Sequence, residues 1–317
     1  QDQVSQLKQK GINAELLHSG LHRSEVRIIL DNLVKGAYDL IYVAPERLES
    51  EDLILRLHEA KLSLIAIDEA HCISQWGHDF RPSYLKVGRL RQDFPETPIV
   101  ALTGTATTEV LEDIAKVLQL EKYRIFRSGF ERPNLHTYVL EEDNKMAQCL
   151  DLLQKYKGTS IIYVRSRRTS VELAKQLSQR GISAAPYHAG MPVAHREQIQ
   201  NQWINDQVTT IVATSAFGMG GDNVDVRLVL HFELPPSIED YYQEIGRAGR
   251  DGLDAHAFLI YNGRDLLNVQ RRLEEPPIQK KEIQTIYQKL CKYLGSQPES
   301  SIQAFHTFEP LAFAKHY

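Results

Sequence analysis

Short apolar runs alternate with segments of helical spacing along most of the chain. The strands predicted in the first part are Ile12–Leu17, Asp39–Val43, Leu62–Ile67, Ile99–Leu102 and Tyr123–Arg127. The helices predicted among them are Gln1–Lys10, which Gly11 ends, and His22–Val34, Ser83–Gln92 and Thr107–Leu118. Such alternation is typical of an α/β fold.

A second α/β series follows Glu131-Arg132-Pro133-Asn134, where the proline interrupts either kind of element. Its predicted strands are Leu135–Leu140, Ser160–Val164, Ser183–Tyr187, Thr210–Ala213, Arg227–His231 and Ala257–Tyr261. Its predicted helices are Lys145–Tyr156, Thr169–Arg180, Pro192–Asn205 and Ile238–Ile245. From Leu266 the pattern is helical, with a Pro276-Pro277 break. We therefore predict two α/β domains, 1–132 and 133–265, and a helical extension, 266–317.

The predicted strand Leu62–Ile67 ends abruptly in two acidic residues, Asp68 and Glu69. An apolar run without a polar face indicates a strand buried on both sides, as in a parallel sheet. Ligands of such sheets bind beyond the carboxyl ends of the strands. Adjacent carboxylates there suit a metal-nucleotide site, in which one holds Mg²⁺ and the other polarises water. Two solvated acids at a strand end are the alternative.

Composition narrows the class of protein only modestly. The chain has 317 residues, a net charge of -4 and 42% hydrophobic residues, which is ordinary for a globular protein. No stretch approaches the roughly 18 apolar residues of a membrane span. Its three cysteines, Cys72, Cys149 and Cys291, lie far apart, which fits a reducing compartment and excludes a local four-cysteine zinc site. Any nucleic-acid contact must come from local patches.

The acidic pair leads into an aromatic loop, Asp68-Glu69-Ala70-His71-Cys72-Ile73-Ser74-Gln75-Trp76-Gly77-His78-Asp79-Phe80-Arg81-Pro82. Exposed aromatic faces stack on nucleic-acid bases, although Trp76 and Phe80 could instead fill a core. The first four residues resemble the Walker B motif of superfamily 2 helicases. The continuation resembles the aromatic loop of the RecQ-family DNA helicases. That resemblance implies two RecA-like parallel-sheet domains, with Ser74, Gln75, Trp76, His78, Phe80 and Arg81 at DNA.

Two arginines near the end of the second series form another strong signal. Arg247 and Arg250 lie three residues apart in Tyr241-Tyr242-Gln243-Glu244-Ile245-Gly246-Arg247-Ala248-Gly249-Arg250, so on a helix they would share a face. Two guanidinium groups on one face suit a triphosphate. The stretch resembles helicase motif VI, which implies catalytic roles for Gln243, Arg247 and Arg250, with His71 of the acidic stretch beside them.

Weaker stretches agree with the same family. The glycine-rich Ala213–Asp222 resembles motif V, which implies nucleotide contacts for Gly220 and Asp222, although Gly221 stands where the family usually has a bulky aliphatic residue. Thr103–Thr107 resembles motif III, or is a turn in which Thr107 caps a helix. Motif resemblances also imply DNA contacts for Arg47, Arg165 and His188. A basic surplus between 160 and 205 could follow a phosphate backbone or be a solvated face.

No lysine in the chain is followed by Ser or Thr, so the phosphate-binding loop expected of such an NTPase is not in this sequence. The resemblance places Gln1–Val4 after that loop, so we expect an N-terminally truncated first domain and an inactive chain. An ATP-incompetent DNA-binding fragment and an RNA helicase remain alternatives to a 3′-to-5′ RecQ-type helicase of recombination and repair.

The resemblance also implies cofactors, partners and location. The cofactors would be ATP and Mg²⁺, with Asp68 the only metal ligand and no zinc site. The partners would be single-stranded DNA and duplex junctions, without a membrane. The protein would be a monomer in the bacterial cytoplasm or nucleoid.

Overall fold

The computed structural model describes residues 2–18, 20–76, 79–127, 129, 131–217, 226–274, 279–295 and 309–316. The chain divides into two compact units, Gln1–Asn262 and Gly263–Tyr317. In the described ranges no helix is both long enough and apolar enough to cross a bilayer. Because the first unit holds all the strands of the described residues, it carries the α/β architecture that the sequence predicts.

The first part of the first unit contains two separate pairs of parallel strands. The helices are α1 Asp2–Gln9, α2 Arg23–Val34, α3 Glu51–Glu59, α4 Leu90–Asp93 and α5 Thr108–Val117. The strands are β1 Ala14–Leu17, β2 Leu40–Val43, β3 Ile65–Ile67 and β4 Ile99–Ala101. Strand β1 pairs with β2, and β3 pairs with β4. Short 3-10 helices cover Pro45–Glu49, Ala70–Ile73 and Pro82–Arg89.

One core serves both strand pairs, because Leu17 of β1 and Ile67 of β3 belong to the same buried cluster. The opposite face of β3 and β4 is open, contrary to the prediction of a strand buried on both sides. Ala66 of β3 is exposed and Val100 of β4 is 41% exposed, and Leu64 and Leu102 beside the strands are exposed too. Alternate residues of a strand point to opposite faces, so only one face of each strand reaches this core.

The second part of the first unit is a single six-stranded parallel sheet. Its strands are β5 Leu135–Glu141, β6 Thr159–Tyr163, β7 Ala184–Tyr187, β8 Thr210–Ala213, β9 Val226–His231 and β10 Ala255–Tyr261. The helices are α6 Lys145–Lys155, α7 Arg167–Ser178, α8 Val193–Ile204 and α9 Ile238–Ile245. The strand order is β5-β10-β9-β6-β8-β7. Every residue of β6 and β8 is buried, which explains why both strands consist mainly of apolar residues without a polar face.

The second unit is helical, as predicted. It contains α10 Gly263–Glu274, α11 Lys280–Tyr293 and α12 Pro310–His316. The ring of Tyr293 meets the edge of Phe313, with centroids 5.5 Å apart. The Pro276-Pro277 break lies outside the described residues.

Two predicted elements differ from the structure, and one helix was not predicted. Residues 123–127 form no strand, and with Phe126 87% exposed they have neither a partner strand nor a core. The predicted helix Ser83–Gln92 is instead a 3-10 helix followed by α4, where Gly88 packs so closely that a Cβ would lie 2.7 Å from the Val117 carbonyl oxygen. Helix α3 was missed, although Ser50 caps it.

We expect the six-stranded sheet to depend on its central strands. Leu230 of β9 is fully buried, so Leu230→Ala should lower the free energy of unfolding by about 2–5 kcal/mol through lost burial and a new cavity. Leu253, which is 65% exposed, provides the control, because Leu253→Ala removes the same atoms from a solvated position. Urea denaturation would measure both, and equal losses would contradict this description of the core.

Candidate functional site

An exposed acidic turn follows β3. The main-chain N–H of Glu69 donates to Asp68 Oδ1 at 2.9 Å. Glu69 has a φ of 49°, a left-handed conformation that is costly for a residue with a Cβ. Both side chains are exposed beyond the carboxyl end of the strand. The turn therefore presents two adjacent carboxylates to solvent, where the sequence predicts them.

His71 connects this turn to the end of the neighbouring strand. The residue is 2% exposed. Its Nδ1 lies 3.0 Å from Thr103 Oγ1, just after β4, and 3.4 Å from Glu69 Oε2. The Thr103 hydroxyl donates to the Thr105 carbonyl oxygen at 3.1 Å, so it accepts from His71. Thr107 accepts a hydrogen bond from the N–H of Val110 and caps α5, as one of the two interpretations held.

The aromatic loop projects one large side chain into solvent. Trp76 is 80% exposed, so the alternative that it fills a core is wrong. The buried Ser74 shapes the loop, because its hydroxyl accepts from the N–H of Trp76 at 3.1 Å. Phe80 is half-buried. Gln75 is exposed, and His78 lies outside the described residues.

The half-buried Arg81 does not extend freely from this loop. Its Nε donates to Asp79 Oδ2 at 3.0 Å, and that ion pair raises the Arg81 pKa. Beneath the pair, burial raises the pKa of the Cys72 thiol to about 11. The Cys72 Sγ lies 3.6 Å from His71 Nε2 and 3.9 Å from Asp79 Oδ2. Sequence reasoning treated Cys72 only as a reduced cysteine and missed this contact.

The two arginines near the second sheet lie in the turn that follows α9, beyond the predicted helix end, so they do not share a helix face. Helix α9 ends at Ile245, and Gly246 follows as its cap. Both arginines nevertheless lie near the buried Tyr163, whose phenol pKa burial raises and the two positive charges lower. Within the described part of the chain, the buried Nε of Arg247 has no hydrogen-bond partner. Gln243 of α9 is half-buried.

The linker supplies residues that sequence reasoning missed. Arg132 donates through Nη1 to the Gly246 carbonyl oxygen at 3.1 Å and through Nη2 to that of Gly249. Asn134 donates to the Gly249 and Leu253 carbonyl oxygens at 2.8 and 2.9 Å. These four bonds hold the arginine turn against the start of β5. No local sequence pattern predicts these bonds, because their partners are more than a hundred residues apart.

A buried polar pair fixes α9 on the sheet. His231 Nε2 and Glu244 Oε2 lie 2.7 Å apart, with side chains 1% and 10% exposed. The His231 ring also stacks on Tyr163, with centroids 5.4 Å apart. This places the end of α9, and the turn after it, beside the carboxyl end of β9.

The remaining predicted residues differ in their surroundings. Arg47 is half-buried and donates through Nη2 to the His18 carbonyl oxygen at 2.6 Å, which anchors the segment after β1. Arg165 is exposed after β6, and its main-chain N–H donates to Glu233. His188 follows β7, and its buried Nδ1 is unpartnered among the described residues. Gly220 and Asp222 lie outside the described ranges.

Comparison with protein families adds two matches. The family described as DEAD/DEAH box helicase matches residues 1–114, and the helicase conserved C-terminal domain matches residues 144–252. The "ATP-dependent DNA helicase RecQ" of Haemophilus influenzae is 45% identical over 278 residues, which are 87% of this chain and 45% of that protein. The Bacillus subtilis protein of the same name is 42% identical, over 86% of this chain and 46% of that protein. The chain thus spans less than half the length of these relatives.

Solved structures show the same fold. The Mycobacterium smegmatis helicase Lhr, bound to single-stranded DNA and AMP-PNP, aligns with a TM-score of 0.62 at 21% identity, over 84% of this chain and 38% of that one. Saccharomyces cerevisiae Dbp5, bound to RNA and ADP BeF3, aligns with a TM-score of 0.58 at 17% identity, over 83% and 68%. The prediction of an α/β fold with RecA-like parallel sheets is confirmed.

Because Gly249 lies under the linker contacts, we expect it to tolerate no side chain. Its φ is +61°, and a Cβ would lie 2.6 Å from Asn134 Nδ2 and 2.8 Å from the Leu253 carbonyl oxygen. Gly252 has a φ of +84° with nothing near its Cβ position, so it isolates the backbone cost. Gly249→Ala should destabilise the protein by about 1–3 kcal/mol more than Gly252→Ala. Equal unfolding free energies would contradict the tight packing of this turn.

Proposed function

Since the chain is a homologue of the RecQ-family ATP-dependent DNA helicases and contains the helicase domains of superfamily 2, we propose that the protein is a RecQ-type helicase. It would use ATP hydrolysis to unwind DNA from 3′ to 5′ in recombination and repair. The observation that carries the proposal is the exposed Trp76, in the loop that continues directly from the exposed carboxylates of Asp68 and Glu69. An aromatic platform beside a hydrolytic site suits an ATPase that responds to DNA.

The acidic turn fits a hard cation with its nucleotide. Carboxylate oxygens are the ligands that Mg²⁺ prefers, and Asp68 and Glu69 expose theirs at the end of β3. Mg²⁺ bound with ATP would neutralise phosphate charge there. In our proposal Asp68 holds the metal and Glu69 takes the proton from the attacking water. His71 fixes the orientation of the Glu69 carboxylate through the 3.4 Å contact.

The arginine turn fits the phosphate side of the same nucleotide. The unpartnered Nε of Arg247 is a buried donor, and such a group is costly unless an acceptor arrives. We assign Arg247 and Arg250 to the phosphates, with Gln243 next to them on α9. Arg132 and Asn134 position this turn without touching the nucleotide. Gly220 and Asp222 keep their proposed nucleotide contacts from the motif resemblance.

The residues assigned to DNA binding fall into two groups: those that would touch DNA and those that hold the backbone of the loops. Trp76 and Gln75 are exposed and would meet DNA directly, together with Arg165 and His188 near the second sheet. Ser74 and Arg47 mainly hold the loop backbones, through the bonds to Trp76 N–H and to the His18 carbonyl oxygen. Phe80 and Arg81 would couple the loop to the ATPase site, and His78 retains its proposed DNA contact.

The wider assignments are part of the same proposal. We propose domains at 1–132 and 133–265 with a helical extension at 266–317, a monomeric state, and a place in the bacterial cytoplasm or nucleoid. DNA, as single strands and duplex junctions, is the proposed partner. Relatives more than 40% identical carry the name DNA helicase, so neither the RNA helicase nor the ATP-incompetent fragment is favoured.

In the full-length protein, Glu69→Gln should abolish ATP hydrolysis while ATP still binds. The amide has the same shape but cannot accept the proton of the attacking water. Glu59→Gln, on the exposed last turn of α3, is the matched control and should retain full turnover. Turnover of Glu69→Gln within about tenfold of wild type would remove Glu69 from the general-base role, whose usual contribution is 10²–10⁴-fold.

Trp76→Ala should lower DNA-stimulated ATPase and unwinding together while basal ATPase is retained. One lost stacking platform removes about 1–3 kcal/mol of base contact. Phe126→Ala is the control, because Phe126 is 87% exposed but lies outside the loop. Both variants should melt like wild type, since neither side chain is buried. Stronger stimulation of the wild type by RNA than by DNA would instead support the RNA helicase.

A further inference from the structure

Three side chains of different chemistry converge beneath the aromatic loop. His71, Cys72 and Asp79 each offer one ligand atom, and these three atoms all lie within 4.8 Å of one another. We propose that they form a binding site for a thiophilic divalent cation, Zn²⁺ in particular, separate from the Mg²⁺ role of Asp68. The sequence predicts no zinc site because its cysteines are unpaired, and a mixed set of ligands is invisible to that criterion.

The separations suit a tetrahedral ion. Zinc bonds of about 2.0–2.3 Å at tetrahedral angles put neighbouring ligand atoms roughly 3.4–3.6 Å apart. The His71 Nε2 and Cys72 Sγ lie 3.6 Å apart, and the Cys72 Sγ and Asp79 Oδ2 lie 3.9 Å apart. Two of the three ligand distances therefore need only a small adjustment of the loop. Water would complete the coordination.

The neutral His71 ring is protonated on the nitrogen that points away from Cys72, which leaves the other nitrogen able to bind a metal. Because the Thr103 hydroxyl already donates to a carbonyl oxygen and Glu69 can only accept, His71 Nδ1 carries the hydrogen in the neutral ring. The Nε2 lone pair therefore faces Cys72. Metal-binding histidines in proteins commonly donate their other N–H to such an oxygen, which fixes the ring and strengthens the ligand.

The local charges also balance a doubly positive ion. On binding, the Cys72 thiol loses its proton to solvent, because the thiolate is the ligand. The thiolate, Asp79 and the nearby Glu69 then carry three negative charges, and Arg81 on Asp79 carries one positive charge. Two net negative charges remain for the cation. Arg81 donates to Asp79 Oδ2 through both Nε and Nη2, so one of these two N–H groups must leave that oxygen before it binds the ion, while the other can stay.

The burial of the ligands indicates how an ion would enter. His71 and Cys72 are 2% and 1% exposed, whereas the Asp79 side chain is 46% exposed. Asp79 therefore forms the solvent side of the site. An ion held there would tie the chain just after Trp76 to the helical turn just after Glu69. This binding does not depend on the proposed helicase activity.

Cobalt titration of the full chain tests the proposal directly. Co²⁺ should bind at one site per chain and give the near-ultraviolet charge-transfer absorption of a cobalt thiolate, and Zn²⁺ should abolish that absorption by displacing it. Cys72→Ser should lose the absorption completely. Cys149→Ser is the matched control and should retain it, because Cys149 is equally buried on α6 but belongs to no ligand cluster among the described residues.

A Co²⁺ titration of a second ligand variant and melting temperatures with Zn²⁺ test the site independently of Cys72→Ser. Asp79→Asn should weaken Co²⁺ binding, and Zn²⁺ should raise the melting temperature of wild type and Cys149→Ser but not of Cys72→Ser. Asp79→Asn decides the matter should Cys72→Ser fail to fold, since Asp79 lies at the surface. Absence of the thiolate absorption in wild type, or its persistence in Cys72→Ser, would overturn the proposal, and an Asp79→Asn titration identical to wild type would do the same.

Discussion

The hydrogen bond between His71 and Thr103 sets the geometry of the acidic site. Parallel strands end at a common edge, so the segments after β3 and β4 must meet there. The buried ring of His71 joins those two segments at 3.0 Å, and the same nitrogen lies 3.4 Å from the Glu69 carboxylate. The Ala70 N–H also donates to the Leu102 carbonyl oxygen at 2.8 Å, so the left-handed turn at Glu69 is held to the neighbouring segment by a main-chain bond and a side-chain bond. The orientation of the proposed general base thus depends on a contact between residues thirty-two positions apart.

The arginine turn is also held by contacts between residues distant in sequence, here from side-chain donors to main-chain carbonyl oxygens. It lies after α9 and is held by donors from the linker, which satisfy carbonyl oxygens that a helix end leaves open. Tyr163 and the His231–Glu244 pair then fix the turn beside the central strands. A rigid base of this kind allows cations to act on an anion without first reorganising.

Most of the fold could be predicted from sequence because local patterns determined it. The strands β6, β8 and β9 consist mainly of apolar residues, and α9 has the predicted ends, with Ser237 capping it. The misses have physical causes. The apolar run 123–127 resembles a strand, but pairing depends on a neighbour that sequence alone does not show. The three-residue spacing of the arginines would give them a shared face on a helix, but α9 ends before them, and Gly249 in the following turn adopts a positive φ. The linker bonds of Arg132 and Asn134 are tertiary and leave no periodic trace.

His71 links the two chemistries of this part of the chain. One ring nitrogen faces Thr103 and Glu69, and the other faces Cys72 and, beyond it, Asp79. Asp79, which lies three residues after Trp76 in the same loop, accepts a hydrogen bond from Arg81. The side-chain contacts between Asp79 and Glu69 therefore run through one imidazole, which faces Cys72 with one nitrogen and Thr103 and Glu69 with the other.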